Sequence, residues 1–500
     1  MKISIVSPTK AYLLNTSKEE LDDLRKELTY TNTSASYQLK KHLQSDWLKR
    51  NKPEEWAERA ADLKTKVKNI VLYTDSQGVY IRPGSIPYLK DRVEDITSNI
   101  IYPAPKSMAW YNKPEFDPYP FQNETVELFL KTRHASAQLA TGLGKSYIMA
   151  LVTQKLGLRT LIVTPSTAIF LELLEFFQEC FGVNKVGALG DGKKKTDRQI
   201  VVAIAKSLTT LKEGTKEYKN IKSMQVVIGD ESHTLPAETL DSTFHSVLSD
   251  IPYRFFVSGT QTRGDGSVPL LRSIIGETVI DRDLAWGIKK GYLSKLDFTM
   301  VNIPTSEPHY WNSDAMKMKR KHFLYNQYSI DFTAKTVNAV VRSLNQSCLI
   351  LVEEIEQISL LIKKLEVPFT YVHGNTVKKD ELEQYGLENR KLKDEIEKFN
   401  KGEVKVFIGT KCVSTGTNFY PTHYTFNLQG GASEISTKQG VLGRSTRLLE
   451  KSRYKNLHAP KNMSKIFDFN VDVEQLRGHF FKRYEYYKEA DCPIKWIDYK

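Results

Sequence analysis

The chain has 500 residues and a net charge of +13, from 72 lysines and arginines against 59 acids. With 40% hydrophobic and 26% charged residues it has an ordinary globular balance, which excludes a mainly disordered, collagenous or disulfide-stapled protein. No apolar run reaches the roughly 18–20 residues of a membrane span, and the basic surplus suits a polyanionic partner.

In chain order, ISIV near the start predicts a strand. SKEELDDLRKEL follows as an amphipathic helix, with Ser17 placed to cap it and Glu20 three residues on. Residues 37–68 are polar and helical in character. NIVLYTDSQGVYIRP predicts two strands about a Ser-Gln-Gly turn. These segments make residues 1–105 a small α+β domain. The Pro-rich stretch IYPAPKSMAWYNKPEFDPYP (101–120) has no periodicity and reads as a linker.

From about 120 to 300 short apolar runs alternate with helical segments. TLIVTP, QIVVAIA, QVVIGDE and YRFFVSGT predict buried strands of a parallel α/β sheet. From about 325 to 475 the pattern recurs in CLILVEE, FTYVHG, VKVFIGT, YTFNLQ and KIFDFN. The tail EQLRGHFFKRYEYYKEADC predicts a closing helix. The fold class is therefore α/β, with two parallel-sheet domains in series behind the small α+β domain. The expected boundaries are 1–105, 106–300 and 301–500.

The four cysteines, Cys180, Cys348, Cys412 and Cys492, form no CxxC pair. Free thiols in a reducing cytoplasm are expected, and no zinc or iron–sulfur centre. The opening MKISIVSPTK lacks the apolar core of a secretory leader.

The strongest local signal is SAQLATGLGKSYIMALV, an apolar strand running through Thr141, Gly142 and Gly144 into a helix that starts at Lys145 and Ser146. Such glycines turn backbone N–H groups inward around phosphate oxygens, and the helix N-terminus adds its dipole. Lys145 would reach the β- and γ-phosphates of ATP, and the Ser146 hydroxyl would hold Mg²⁺. The full phosphate-loop pattern has Gly where this chain has Leu139. A glycine-rich turn with a solvated lysine shares the local sequence; a second site decides against it. In QVVIGDESH, Asp230 and Glu231 end a buried strand, where open α/β sheets bind ligands. Asp230 would hold Mg²⁺, and Glu231 would orient or deprotonate the attacking water.

At this point the motifs resemble the DExH branch of superfamily 2 helicases and translocases, over roughly residues 115–475. The resemblance implies two RecA-like motor domains and ATP hydrolysis with Mg²⁺. FDPYPFQNETV is similar to the adenine-reading Q motif, with Gln122 as its glutamine. VTPST (163–167) resembles motif Ia, and Ser258-Gly259-Thr260 resembles motif III, which couples the nucleotide site, with His233, to the nucleic-acid track. LILVEE resembles motif IV, and His373-Gly374 the strand end that follows it. FIGTKCVSTGTN resembles motif V, implying Gly416 and Asn418 near the nucleotide and Thr410 near the track. Asn418 stands where many relatives carry Asp. VLGRSTR resembles motif VI, implying that Arg444 and Arg447 stabilise charge on the γ-phosphate. Gly440 occupies the family's glutamine position, with Gln439 one residue early.

Within the superfamily, FDPYPFQ, SGTQTRGDGS (258–267), WGIKKGYLSKLDF (286–298) and the closing segments resemble UvsW-type branch-migration helicases of tailed phages. That likeness implies a DNA helicase or translocase acting on forked, junction or duplex DNA with single-stranded regions, in replication, recombination or repair. It implies ATP between the two motor domains, Lys145, Ser146 and Asp230 from one side and Arg444 and Arg447 from the other. The implied track residues are Thr164, Ser166, Gly190, Lys206, Ser207, Arg263, His373 and Thr410. Lys193, Lys194 and Lys195, in a loop between strands, are candidates for added phosphate contacts. The N-terminal domain is implied to bind DNA, and VYIRPGSIPYLKDR (79–92) is its candidate surface. A bacterial host cytoplasm is the implied location, no membrane is involved, and a monomer is the default. An RNA helicase on the same core, or a duplex-translocating motor subunit of a restriction-type complex, remains an alternative.

Overall fold

The computed structural model describes residues 1–113, 117–305, 315–374, 377–413, 418–434, 436–450 and 452–499. The chain forms two compact units: residues 1–139 with 144–281, and residues 140–143 with 282–500.

The first unit holds a five-stranded sheet, in the order Tyr73–Asp75, Gly78–Ile81, Lys10–Leu14, Lys2–Ser7, Asp95–Ser98. Ser17 caps the helix Lys18–Glu27 in a capping box with Glu20. A helical arm leaves this sheet: the short strands Thr29–Thr31 and Lys68–Ile70 pair at its base and enclose the helices Thr33–Leu43, Asp46–Asn51 and Pro53–Val67. One apolar core runs from Met1, Ile3, Leu24 and Leu89 into Leu161, Leu240, Phe244 and Ile274.

The segment 79–92 is a packing face of that shared core. Ile81, Ile86 and Leu89 are buried, and a Cβ on Gly84 would run into the Ser273 carbonyl. Arg82 pairs with Asp241 at 2.5 Å, and Lys90 with Glu277 at 2.7 Å. The expected DNA-facing surface is thus largely spent on protein. Arg82, Lys90 and Tyr88 are paired with Asp241, Glu277 and the Gly276 carbonyl, which the sequence pattern alone does not distinguish from a solvated patch.

The larger sheet of this unit has eight strands, ordered Lys193–Lys195, Val186–Gly190, Ile200–Ile204, Thr160–Thr164, Val226–Asp230, Tyr253–Ser258, His134–Leu139, Glu277–Arg282. Pairs from Val186–Gly190 to His134–Leu139 are parallel, so their carboxyl ends share one rim. The lysine run is an exposed edge strand, antiparallel to Val186–Gly190, where a loop was expected. Asp191 and Gly192, both at positive φ, make the two-residue turn that returns the chain.

Residues 99–111 contain no helix or strand, yet they are laid against the helices Lys145–Leu156 and Thr167–Phe181. Lys106 donates to Leu156, Met108 to Gln154 and Tyr111 to Cys180, and Trp110 stacks on Phe181. The linker is a strap: Tyr102, Met108 and Trp110 give it apolar surface to bury.

The second unit is built on a seven-stranded sheet, ordered Phe369–Val372, Val406–Gly409, Cys348–Val352, Tyr424–Leu428, Met463–Val471, Lys295–Ile303, Ile494–Asp498. Its neighbouring strands are parallel. Both large sheets have the RecA-like parallel arrangement with helices on their faces. The helix Glu474–Lys488 does not close the chain; Ile494–Asp498 follows and joins the sheet edge. Arg483 of that helix, 2% exposed, pairs with fully buried Asp468 at 2.7 Å and fastens the helix to the sheet. Among the described residues no helix is long and apolar enough to cross a membrane.

Candidate active site

The first unit gathers its functional side chains on the carboxyl rim of the large sheet. Strand His134–Leu139 ends in the glycine turn, and the helix Lys145–Leu156 starts directly after it. Gly142 and Gly144 have φ of +101° and +77°, a region in which a side chain is strained. A Cβ on Gly144 would also lie 2.5 Å from Gln122 Nε2. Gln122, 3% exposed, therefore lies against the turn, with its Oε1 accepting from the Tyr119 N–H at 2.9 Å.

Lys145 Nζ is 2.5 Å from Glu231 Oε1, and both side chains are nearly buried. The other Glu231 oxygen accepts from Ser258 Oγ at 2.9 Å and from the Gly259 N–H at 3.3 Å. Ser258 Oγ also meets His233 Nδ1 at 2.7 Å, while His233 Nε2 meets Thr260 Oγ1 at 3.0 Å. The expected coupling residues thus form one bonded chain from Lys145 to Thr260. Glu231 has φ of +46°, a conformation that side chains rarely adopt.

The two carboxyls are pushed apart. Burial, and then the negative Glu231 beside it, raises Asp230 far above the usual carboxylate range. Burial also raises Glu231, but Lys145, His233 and the hydrogen bonds outweigh it, and Glu231 is lowered. Charge therefore concentrates on Glu231, the carboxyl that Lys145 holds. Asp230 Oδ1 is buried and has no hydrogen-bond partner.

The implied track residues of this unit sit on the same rim. Thr164 is fully buried and ends its strand, and Ser166 caps the helix Thr167–Phe181. Gly190 ends Val186–Gly190, where a Cβ would lie 2.7 Å from Ile204. Lys206 is exposed and Ser207 partly exposed, both on the helix Ala205–Thr209. Arg263 does not face outward. Its side chain is 5% exposed and is committed to Asp265 at 2.6 Å, Ser267 at 2.5 Å, and the carbonyls of His233 at 2.8 Å and Leu235 at 2.7 Å.

In the second unit, His373 and Thr410 end neighbouring strands, with the Thr410 N–H donating to the Val372 carbonyl at 3.3 Å. His373 is buried and bonded to the carbonyls of Gly374 and Glu388. Asn418 accepts from Asn400 Nδ2 through its carbonyl at 2.9 Å. Gly416 lies outside the described residues. Arg444 is 2% exposed and donates to the Val413 carbonyl at 3.1 Å; Arg447 is half-buried. Thr141 and Gly142 cluster with this unit, and a Cβ on Gly443 would lie 2.6 Å from Thr141 Cγ2.

Two positioning features escaped sequence reasoning. Gln138 Oε1 accepts from the Gln261 N–H at 3.0 Å, tying the strand before the glycine turn to the loop that follows Ser258. Lys461 is 1% exposed, and its Nζ donates to the carbonyls of Ser445 and Arg447 at 2.9 and 2.7 Å. Burial pushes that ammonium down to about 7. Gln138 carries a weak signal, a polar residue at a buried strand end; Lys461 carries none.

Residues 115–263 match the family model described as the type III restriction enzyme res subunit. No curated protein matches the chain. Among solved structures, a fragment of a putative HsdR subunit of a type I restriction enzyme from Vibrio vulnificus is 15% identical, with a TM-score of 0.52, covering 78% of this chain and 69% of that one. Mss116p bound to ssRNA and AMP-PNP is 15% identical, with a TM-score of 0.53 and coverage of 77% and 75%. UvsW of bacteriophage T4 is 13% identical, with a TM-score of 0.43 over the full length of both chains. At these identities the likeness to the HsdR fragment and to Mss116p is one of fold.

Proposed function

We propose that this chain, a superfamily 2 helicase-type ATPase, remodels branched DNA, unwinding forks or migrating junctions at the expense of ATP. The bonded chain Lys145–Glu231–Ser258–His233–Thr260 carries the reading. It links the lysine and carboxylate of a hydrolytic site to a strand-end loop, which an ATPase without a track does not need.

The chemistry follows from the pairs. Phosphate oxygens compete for the Lys145 ammonium, and Glu231 then loses its cation. The released carboxylate, its other oxygen held by Ser258 and Gly259, accepts the proton of the attacking water. Gln122 reads the adenine edge, and Thr141, Gly142 and Gly144 hold the phosphates. Arg444 and Arg447 stabilise γ-phosphate charge. The residues present fit Mg²⁺: Ser146 and the unpartnered Asp230 Oδ1 are hard oxygen donors. No group of three or more His, Cys, Asp or Glu among the described residues is placed to hold a metal. When bound, Mg²⁺ would supply positive charge against the phosphates held at this turn.

Ser166, Lys206 and Ser207 would grip the backbone of the track, and the buried strand ends at Thr164, Gly190, His373 and Thr410 would support that rim. The N-terminal contribution is best carried by the helical arm, not by 79–92. Lys40, Lys41, Lys49 and Arg50 are exposed there, beside Tyr37 at 69% and Trp47 at 65% exposure. Cations with bare aromatic faces suit phosphates and unpaired bases. DNA is preferred over RNA because the matched family model describes a restriction enzyme subunit. That same match favours a second reading, a duplex-translocating motor subunit.

ATPase rate without nucleic acid and with single-stranded DNA, duplex, forked DNA and RNA tests the proposal. Strongest stimulation by forked DNA, with fork unwinding, is expected. Stimulation by RNA alone would overturn the DNA assignment. Triplex displacement without fork unwinding would replace it with the translocating subunit.

A further inference from the structure

We infer that Arg263 is a positioning residue that ties the DESH turn to the base of the N-terminal helical arm, so that nucleic acid held by the arm is felt at Glu231. The inference rests on the nucleic-acid-stimulated ATPase proposed above and adds to it the route by which stimulation reaches the site.

On the nucleotide side, the guanidinium of Arg263 holds the carbonyls of His233 and Leu235. His233 is the residue whose ring meets Ser258 and Thr260, and Ser258 holds Glu231. The Leu235 carbonyl ends the DESH turn just before the helix Ala237–Ser242. On the other side, Arg263 grips Asp265 and Ser267 and so sets the shape of the loop Gly264–Asp265–Gly266. That loop is docked on the arm. The Thr33 N–H donates to the Asp265 carbonyl at 2.9 Å, and Thr33 Oγ1 donates to the Gly264 carbonyl at 3.1 Å. Gly266 has φ of +80°, and a Cβ there would run into the Thr31 carbonyl, so the fit is close. Thr33 is the first residue of the helix Thr33–Leu43, which bears Tyr37, Lys40 and Lys41. Arg263 thus touches both the DESH turn and the docked loop with one side chain. An arginine suits this place: its planar fork carries five N–H donors in fixed directions, which lysine cannot reproduce.

Contiguity is not by itself coupling, and the physical test is a non-additive effect on stimulation. Thr33→Pro is the sharpest variant. Proline is tolerated at the first position of a helix, and Asn32 before it already has extended ψ of 103°. The change deletes both Thr33 bonds to the loop while sparing the helix and the nucleotide site. The measurement is ATPase rate against DNA concentration for the full chain, its Thr33→Pro, Arg263→Gln and Arg263→Lys variants, and the Thr33→Pro/Arg263→Gln double variant. DNA affinity and melting temperature are measured in parallel.

For Thr33→Pro, the expected result is a basal rate and ATP KM within twofold of wild type, with stimulation at saturating DNA cut at least fivefold. Arg263→Gln should lose stimulation similarly, Arg263→Lys should recover part of it, and the double variant should be no worse than the worse single one. Full stimulation of Thr33→Pro at saturating DNA would overturn the inference. So would additive losses, or losses that follow melting temperature alone. A wild-type chain that no nucleic acid stimulates would instead overturn the function proposed above, which separates the two failures.

Discussion

At the scale of single residues, the site is a set of charges that restrain one another. Lys145 and Glu231 form a nearly buried pair, and a pair of that kind is costly to leave half-made. Lys145→Ala is expected to abolish hydrolysis; retained DNA-stimulated turnover in a steady-state assay would remove the phosphate site from this turn. Arg447 is half-buried and sits outside the glycine turn. Arg447→Ala should leave nucleotide binding within a fewfold of wild type and lower kcat by roughly 10³-fold, as loss of a transition-state arginine does. Equilibrium binding of a fluorescent nucleotide beside single-turnover hydrolysis separates the two effects.

At the scale of elements, the N-terminal segments and the first large sheet stand as one body because polar and apolar contacts cross between them. His245 bonds to Asp241 at 2.9 Å, and Asp241 pairs with Arg82. Burial, with Arg82 nearby, pushes His245 down to about 3; burial, with Arg254 nearby, pushes His134 down to about 4. Unfolded, both titrate near 6.5. The unfolded chain therefore takes up protons first, so stability is lost as pH falls below about 6.5 toward the folded values, and these groups add no pH dependence above it. Melting temperature should fall steadily from pH 7 to pH 5. His245→Asn should flatten the decline by up to about 1.4 kcal/mol per pH unit; an unchanged slope would mean that His245 is not held neutral. Gly84 tests the same junction sterically. Gly84→Ala forces a methyl against the Ser273 carbonyl and should cost about 1–3 kcal/mol in denaturant melts.

At the scale of the whole molecule, the surplus of +13 is spread over two units that each present strand ends. Affinity for DNA should fall steeply with salt, by about 0.9 log units per log unit of salt for each phosphate neutralised. Replacing Lys40, Lys41, Lys49 and Arg50 together with Ala should reduce that slope by roughly 2–4 and weaken binding to all sequences alike. A slope equal to wild type would place the duplex contacts elsewhere than on the arm.

The sequence by itself determined the alternation of buried strands and helices, the glycine turn before Lys145, the acids at the end of Val226–Asp230 and the order of the motifs. Each is local: a strand is a short apolar run, a phosphate turn is glycines beside a helix start, and both survive being read a few residues at a time. Other features were decided only by long-range packing. VGALG and IKWID are strands because neighbours complete their ladders, not because their own composition demands it. The stretch 79–92 looks like a basic aromatic surface, but Ser273, Asp241 and Glu277 lie more than 150 positions away and turn it into a core face. The same holds for Arg263. Its partners His233 and Leu235 are 30 and 28 positions upstream, and only the tertiary fold spends its guanidinium on them rather than on a ligand.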